Sequence, residues 1–184
     1  MSENAGEDYD VVLLIEQALS EQDAAQVHSL HEGLDQQVTY HVLLPLEDAA
    51  ARIESAMGSL TAGDMLASPT MPMSEVDLDA VRKDCEDRTN TELKQTLDAL
   101  AKSGAIARGQ VVADPPIDAL AAKVSEVDGR EAIILTRPHV VAEFFHLDWT
   151  SKARRRLGVP LLHLLEHENF DEQASGSGEG VTGV

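Results

Sequence analysis

Aromatic residues are scarce in this chain, which has 1 Trp, 2 Tyr and 3 Phe among 184 residues. A core must therefore be aliphatic, and the hydrophobic content of 43% is sufficient for one core, although the chain is short for two domains. Cysteine is scarcer still, because Cys85 is alone and cannot form an internal disulfide. This usage is typical of a reducing compartment. No apolar run approaches the roughly 18 residues that a membrane helix needs.

Basic residues are few: 14 Lys and Arg stand against 33 Asp and Glu, which gives a formal net charge of −19. Such a charge repels nucleic acid and anionic membranes, so we expect neither as a partner. The one basic cluster, at 152–156, is too short to predict DNA binding. The first ten residues are acidic and polar, unlike the basic and apolar start of a secretory signal, and we expect a cytoplasmic protein.

Five short apolar runs rich in β-branched residues predict strands that are buried on both faces of a parallel sheet. Patterns typical of helices separate them. Alternating strands and helices with right-handed crossovers predict a three-layer α/β/α fold with a five-stranded, doubly wound parallel sheet. The predicted strands are 11–15, 38–44, 106–112, 132–135 and 161–165, and the predicted helices are 20–31, 47–60, 74–102, 116–127 and 148–157.

Local signals mark several helix ends. Ser20, three residues before Asp23, predicts an N-cap, and Gly33 predicts the end of that helix. Gly104 predicts the end of the longest helix, and Pro116 suits a first helical turn. Five residues of the longest helix have spacings that predict an inward face: Val81, Cys85, Leu93, Leu97 and Leu100.

Three stretches carry a resemblance to a known family. They are LLIEQALS at 13–20, VVADPPIDALAAKV at 111–124, and the segment from AIILTRPHVV at 132–141 to LLHLL at 161–165. Together they resemble the universal stress protein family over about residues 10–166. In that family the first strand usually ends in an aspartate, and Glu16 takes its place here. The resemblance implies the strand order 3-2-1-4-5.

The resemblance also divides the chain. It implies an acidic arm at 1–9 and one domain at 10–168, with an insertion at 47–73 where family members vary most. The Gly-, Ser- and acid-rich residues 169–184 have little to bury and are expected to form a flexible tail.

ATP-binding members of the family carry the motif Gly-x2-Gly-x9-Gly-(Ser/Thr) after the fourth strand, where backbone N–H groups close on the phosphates. Here Thr136, His139 and Trp149 stand in the places of the three glycines, and Thr150 stands in the Ser/Thr place. Asp148 precedes the last helix and would occupy its positive end. The resemblance therefore implies that ATP is not bound in the usual way and that no cofactor is held.

Ligands of open α/β sheets bind at the carboxyl ends of the strands, near the switch in strand order. The family order places that site between the first and fourth strands. One reading is a pocket for an anion or a nucleotide fragment; the other is that Arg137 pairs with Glu16 or Asp148 and closes the cleft. The candidate residues are Glu16, Gln17, Asp114, Thr136, Arg137, His139, Asp148, Trp149 and Thr150.

No pattern predicts a metal site or a catalytic residue. His28 and His31 are three residues apart, and His163 and His167 are four apart, but no cysteine pair or HExxH pattern accompanies them. Nothing in the sequence pairs a Ser or Cys nucleophile with a His base in a familiar motif.

Two functions remain open. The first is a non-enzymatic module that binds a protein partner or an unidentified small ligand and forms a homodimer through its last strand, as the family commonly does. That strand is Leu161, Leu162, His163, Leu164 and Leu165, and His163 would lie near the two-fold axis. The alternative is a nucleotide-binding stress regulator that accepts AMP, a cyclic nucleotide or ATP through a divergent loop at 136–151.

Overall fold

The computed structural model describes residues 8–47, 78–136 and 155–165. Its five strands form one sheet in which every pairing is parallel, in the order β3-β2-β1-β4-β5. The predicted fold class and strand order are confirmed, and the observed strands coincide with the predicted ones or extend slightly beyond them. The strands are β1 (Tyr9–Ile15), β2 (Val38–Pro45), β3 (Ile106–Val112), β4 (Glu131–Thr136) and β5 (Leu161–Leu165).

Helices cover both faces of the sheet. The first face packs against α1 (Glu21–Ser29) and α2 (Leu78–Lys102), and we call it the α1 face. The opposite face packs against α3 (Pro116–Glu126) and against Leu157 in the helical residues 155–157, and we call it the α3 face. The predicted helix at 47–60 lies outside the described residues except for residue 47, and residues 74–77 and 148–154 lie outside them entirely. None of the described helices is both long and apolar enough to cross a membrane.

Strand β1 is the centre of the core. Its residues from Val11 to Ile15 expose at most 5% of their surface, because β1 lies between β2 and β4 and is covered on both faces. Val11, Leu13 and Ile15 pack on the α1 face, while Val12 and Leu14 pack on the α3 face. This is why the strand is a continuous apolar run in the sequence.

Three of the four predicted helix ends are confirmed. The Ser20 side chain accepts a hydrogen bond from the Asp23 amide at 3.1 Å and so caps α1. Gly104 adopts a φ of 92° after α2, and the next amide, that of Ala105, bonds to the Leu100 carbonyl at 3.0 Å, which closes the helix as a Schellman motif. Pro116 lies in the first turn of α3.

The prediction that Gly33 ends α1 is wrong. The helix stops at Ser29, and its C-cap is Leu30. The chain then turns so that His31 is buried against the sheet, with the Leu34 amide bonded to the His31 carbonyl at 3.0 Å. A tertiary contact of His31, described below, thus ends the helix before the glycine is reached.

The buried side of α2 differs in part from its predicted face. Cys85, Leu93 and Leu100 are buried as predicted, but Val81 and Leu97 are only half-buried. Ala99 is also buried, and two threonines, Thr89 and Thr96, complete the buried stripe. They were missed because a hydroxyl is a polar group; each hydroxyl bonds to a carbonyl four residues earlier in the helix, at 2.8 and 3.0 Å, and so can be buried at little cost.

Strand β3 is an edge strand and is less buried than its apolar sequence predicts. Ala107 and Val111 pack on the α1 face, whereas Ile106, Arg108 and Gln110 are exposed on the α3 face. On the α1 face a glycine allows α2 to approach closely, since a Cβ atom at Gly109 would lie 2.6 Å from Leu93 Cδ1 and 3.3 Å from Leu97 Cδ2.

We predict that Gly109→Val lowers the free energy of unfolding by about 1–3 kcal/mol, because the added methyl groups overpack the contact with α2. Urea unfolding followed by circular dichroism measures the change. Gly33→Ala is the control, since a Cβ atom there meets nothing within 4 Å. Valine favours strands, so an unchanged or higher stability of Gly109→Val would contradict this account of the contact.

Candidate functional site

The strand order reverses between β1 and β4, and the crevice at the carboxyl ends of these two strands is the candidate site. Ile15 of β1 is paired with Leu135 of β4, so Glu16 and Gln17 follow one strand directly beside Thr136, the last residue of the other. Glu16 and Gln17 are half-buried. The structure thus brings three of the predicted site residues to one place.

The loop that carries Glu16 and Gln17 is fixed to the rest of the fold. Leu19 is buried, and its amide donates a hydrogen bond of 3.1 Å to Thr96 Oγ1 on α2. At the next strand end, the Leu46 amide donates a bond of 2.8 Å to the Val112 carbonyl, which extends the pairing of β2 with β3 past the last residue of β2. The described part of the crevice therefore rests on backbone that is anchored on both sides.

Of the other predicted site residues, one lies elsewhere and five lie outside the described residues. Asp114 follows β3 and is exposed, and β2 separates its strand from β1. Because neighbouring strands are about 4.8 Å apart, the end of β3 lies about 10 Å from the end of β1. Five further candidates lie outside the described residues: Arg137, His139, Asp148, Trp149 and Thr150.

Thr136 is held by a histidine on the neighbouring strand. The side chain is only 9% exposed, and its Oγ1 lies 2.9 Å from His163 Nε2 on β5. In the register of the sheet His163 is paired with Ile134, so its ring leans along the strand toward the carboxyl end to reach Thr136. Burial lowers the pKa of His163 below the ordinary value for histidine, which favours the neutral ring.

The sequence placed His163 only in the last strand and gave no sign of this pair. A histidine in a strand can face either side, and the residue opposite it depends on the register between two strands that are far apart in the sequence. Once the register is known, the alternation of side chains along each strand puts both Thr136 and His163 on the α3 face.

A hydroxyl within hydrogen-bonding distance of an imidazole is the arrangement that activates a nucleophile. Thr136, however, is buried, so an electrophile has little room to reach its oxygen. The pair instead ties the end of β4 to β5. Thr136, which the sequence resemblance aligns with the first glycine of the ATP motif, is the last residue of β4 and has a buried side chain.

A second polar cluster, also missed from the sequence, lies at the opposite, amino end of the sheet on the α1 face. His31 Nδ1 is 2.8 Å from the hydroxyl of Tyr40, and His31 Nε2 is 3.2 Å from Glu131 Oε2. The Tyr40 hydroxyl also lies 3.3 Å from the carbonyl of Val27 in the last turn of α1. Tyr9 donates a bond of 3.4 Å to the same carboxylate oxygen of Glu131.

These contacts satisfy the buried polar atoms of the cluster. Burial raises the pKa of Tyr40, and burial together with Glu131 raises the pKa of Tyr9, so both phenols remain hydrogen-bond donors at neutral pH. His31 is therefore part of the packing, whereas His28 is half-buried outside the cluster, 4.0 Å from Glu32. The two histidines do not share a site.

On the α3 face at the same end, His41 Nε2 lies 2.6 Å from Asp10 Oδ1, and both side chains are largely buried. This pair and the His31 cluster are the closest contacts between histidine and carboxylate in the described residues. No group of three or more His, Cys, Asp or Glu residues in that part of the chain could hold a metal ion.

Comparison with known proteins finds similar solved structures but no similar family model or curated sequence. No protein-family model matches the chain, and no curated protein matches it. Among solved structures the chain is similar to the universal stress protein of Archaeoglobus fulgidus, with 12% identity, a TM-score of 0.48, and coverage of 86% of this chain and 95% of the other.

Two further similar structures are of the same kind. A universal stress protein family protein from Arabidopsis thaliana with AMP bound has 12% identity and a TM-score of 0.49, with coverage of 89% of this chain and 94% of the other. A universal stress protein in complex with cAMP has 12% identity and a TM-score of 0.47, with coverage of 85% and 97%. The fold class and strand order that the resemblance implied are confirmed by the pairing of this chain's own strands.

We predict that His163 makes the fold sensitive to acid. Because its pKa is lowered in the folded protein, the unfolded chain binds the proton more readily, and the contribution of His163 to stability is complete above about pH 6.5 and is lost as the pH falls toward the folded pKa. The free energy of unfolding should therefore fall more steeply below about pH 6.5 in the wild type than in His163→Gln. Urea unfolding across pH 7.5 to 5, roughly the range in which histidine titrates, measures both slopes. Equal slopes would contradict the prediction.

Proposed function

We propose that this chain is a non-enzymatic, stress-protein-like binding module. Its ligand site is the crevice at the carboxyl ends of β1 and β4, and it acts as a homodimer through β5 in the cytoplasm. The observation that carries the proposal is the arrangement at the crevice: Glu16 and Gln17 lie beside Thr136, whose side chain is buried and bonded to His163 where an ATP-binding loop needs a bare glycine.

The buried Thr136 argues against ATP bound in the usual way. A glycine at the end of the fourth strand lets the backbone turn and its N–H groups approach the phosphates. Here Thr136 is the last residue of β4, its side chain is buried, and its hydroxyl is engaged with His163. With Trp149 and His139 in the other two glycine places, the loop lacks the bare backbone that a triphosphate requires.

The binding role is divided among residues of different chemistry. Glu16 offers a carboxylate at the end of β1, and Gln17 offers an amide beside it. The sequence adds Arg137 and His139, one and three residues after Thr136, as candidate cationic groups, together with Asp148, Trp149 and Thr150. A carboxylate in combination with an arginine and a histidine would suit a small ligand with both donor groups and a negative charge.

A nucleotide regulator is the second candidate. The specific observation in its favour is Glu16, a half-buried carboxylate at the carboxyl end of the central strand, where it can accept hydrogen bonds from ribose hydroxyls. A monophosphate makes a smaller demand on the loop than a triphosphate does. AMP and cAMP are accordingly the first nucleotides to test.

We predict that ATP, with or without Mg²⁺, leaves the melting temperature unchanged. Differential scanning fluorimetry with ATP, AMP and cAMP measures this, since a ligand at a hundredfold excess over its Kd adds about 2.7 kcal/mol to stability. A rise with ATP that is lost in Arg137→Ala or His139→Ala would overturn the ATP prediction. A rise with AMP or cAMP alone would favour the second candidate.

If a ligand raises the melting temperature of the wild type and Glu16→Gln removes this rise, the ligand binds in the crevice. Thr39→Val is the control, because Thr39 lies at the amino end of β2, away from the crevice. A rise that survives Glu16→Gln would mean that the ligand binds elsewhere.

The proposed dimer rests on β5. This strand is one edge of the sheet, and Leu162, His163 and Leu165 are only half-buried in the single chain. An apolar edge strand needs cover. If a second copy pairs antiparallel with its two-fold axis at His163, Leu161 lies opposite Leu165 and Leu162 lies opposite Leu164. The same strand thus forms both sides of the contact, as a two-fold interface requires.

We predict that Leu165→Glu weakens the dimer by at least about tenfold, because it introduces two carboxylates into an apolar pairing. Sedimentation velocity at low micromolar concentration measures the change. Leu34→Glu is the control, since Leu34 is 41% exposed and precedes β2, away from β5. If Leu165→Glu and the wild type dissociate alike, β5 is not the interface.

A further inference from the structure

The other edge of the sheet, β3, carries an unusual surface. Beyond β3 there is no further strand among the described residues, and Ile106 is 45% exposed although it is a large apolar side chain. Arg108 and Gln110 are exposed on the same α3 face. Arg108 has no ion-pair partner in the described part of the chain, within a protein of net charge −19.

The sequence of β3 is IARGQVV, and when it is aligned with a second copy running in the opposite direction, apolar residues meet apolar residues and polar residues meet polar residues. If two copies pair antiparallel about Gly109, Ile106 of one copy lies opposite Val112 of the other, and both belong to the α3 face. Arg108 then lies opposite Gln110, so the guanidinium can donate to the amide oxygen, and the pair occurs twice. On the α1 face Ala107 lies opposite Val111.

We propose that β3 is a second self-association edge, at which another copy of this chain pairs antiparallel with its two-fold axis at Gly109. An isologous interface requires that a surface complement itself, and this register does so at each of the seven positions. A shift by one residue would bring apolar and polar residues opposite each other and exchange the faces.

The proposed pairing also brings helices together. α2 covers β3 on the α1 face, so the pair brings two α2 helices side by side above the axis, and neighbouring helices pack about 8–10 Å apart. Gly109 lies on the axis without a side chain, and Ala107 is small. On the α3 face the exposed Ile106 gains apolar cover from the second copy.

This association is independent of the crevice and of β5, which lies at the opposite end of the strand order. On the α3 face the β3 contact includes two apolar residues from each copy, Ile106 and Val112, whereas β5 is almost entirely leucine. The β3 contact is therefore the weaker of the two, and it joins β5 dimers at higher protein concentration. A chain with both contacts forms a continuing sheet whose length depends on concentration.

The test uses the full chain carrying Leu165→Glu, so that the β5 contact is weakened, and measures association by sedimentation velocity from about 1 μM to about 1 mM. Arg108→Glu with Gln110→Glu sets carboxylate opposite carboxylate twice and should raise the Kd at least about tenfold. Arg108→Glu with Gln110→Arg restores opposite charges at the same two positions and should associate at least as tightly as the parent. The two variants differ only at residue 110, so a difference in folding does not explain opposite outcomes.

Cysteine cross-linking tests the register. Arg108→Cys with Gln110→Cys should form a covalent dimer on mild oxidation, because residues directly opposite in an antiparallel pair have Cβ atoms about 4.5–5.5 Å apart. Arg108→Cys alone should cross-link poorly. Cys85 is buried and does not compete.

The outcomes separate this proposal from the one for β5. Association that persists in the doubly acidic variant, equal Kd values for the two charge variants, or no association of the Leu165→Glu chain up to about 1 mM would each overturn the β3 contact. A Leu165→Glu chain that dimerises at low micromolar concentration like the wild type would count against β5 alone.

Discussion

Strand β1 is almost completely buried between Val11 and Ile15, and this burial governs the rest of the fold. A strand that is apolar on both faces must have helices on both faces, so the chain crosses to the α1 face after β1 and to the α3 face after β3. The change of face forces the strand order to reverse beside β1. The crevice between the ends of β1 and β4 is thus a consequence of burying one strand completely.

The two ends of the sheet differ in how their polar groups are used. At the amino end, His31, Tyr40 and Glu131 bond to one another and to the last turn of α1, so the cluster closes that end. At the carboxyl end, Glu16 and Gln17 leave β1 beside a threonine that is held from β5. Polar contacts between separate elements therefore hold both ends of the sheet, a buried cluster at the amino end and the Thr136–His163 pair at the carboxyl end.

Much of the fold could be predicted because it depends on local patterns. Continuous apolar runs identify strands that are covered on both faces, and Ser20, Gly104 and Pro116 mark helix ends through their own backbone preferences. The place of the crevice followed from the strand order, which the family resemblance supplied. The end of α1 could not be predicted in this way, because His31 is drawn inward by Tyr40 and Glu131, which are distant in the sequence.

Contacts between strands were the least predictable part of the candidate site. The bond between Thr136 and His163 depends on the register of β4 with β5, and no pattern within either strand encodes it. The buried Thr89 and Thr96 were missed for a related reason: a hydroxyl that bonds to its own helix behaves as an apolar surface toward the core.

The chain has two tyrosines, and both belong to the cluster around His31 at the amino end of the sheet. The ring of Tyr9 lies 5.8 Å from that of His31, and the ring of Tyr40 lies 5.5 Å from it in an edge-on arrangement. The tyrosine absorption and emission of this protein therefore originate from a single location, where β1, β2 and β4 meet the end of α1. Since the chain's one tryptophan, Trp149, absorbs in the same band, it is the tyrosine part of the signal that reports on this anchored end of the molecule.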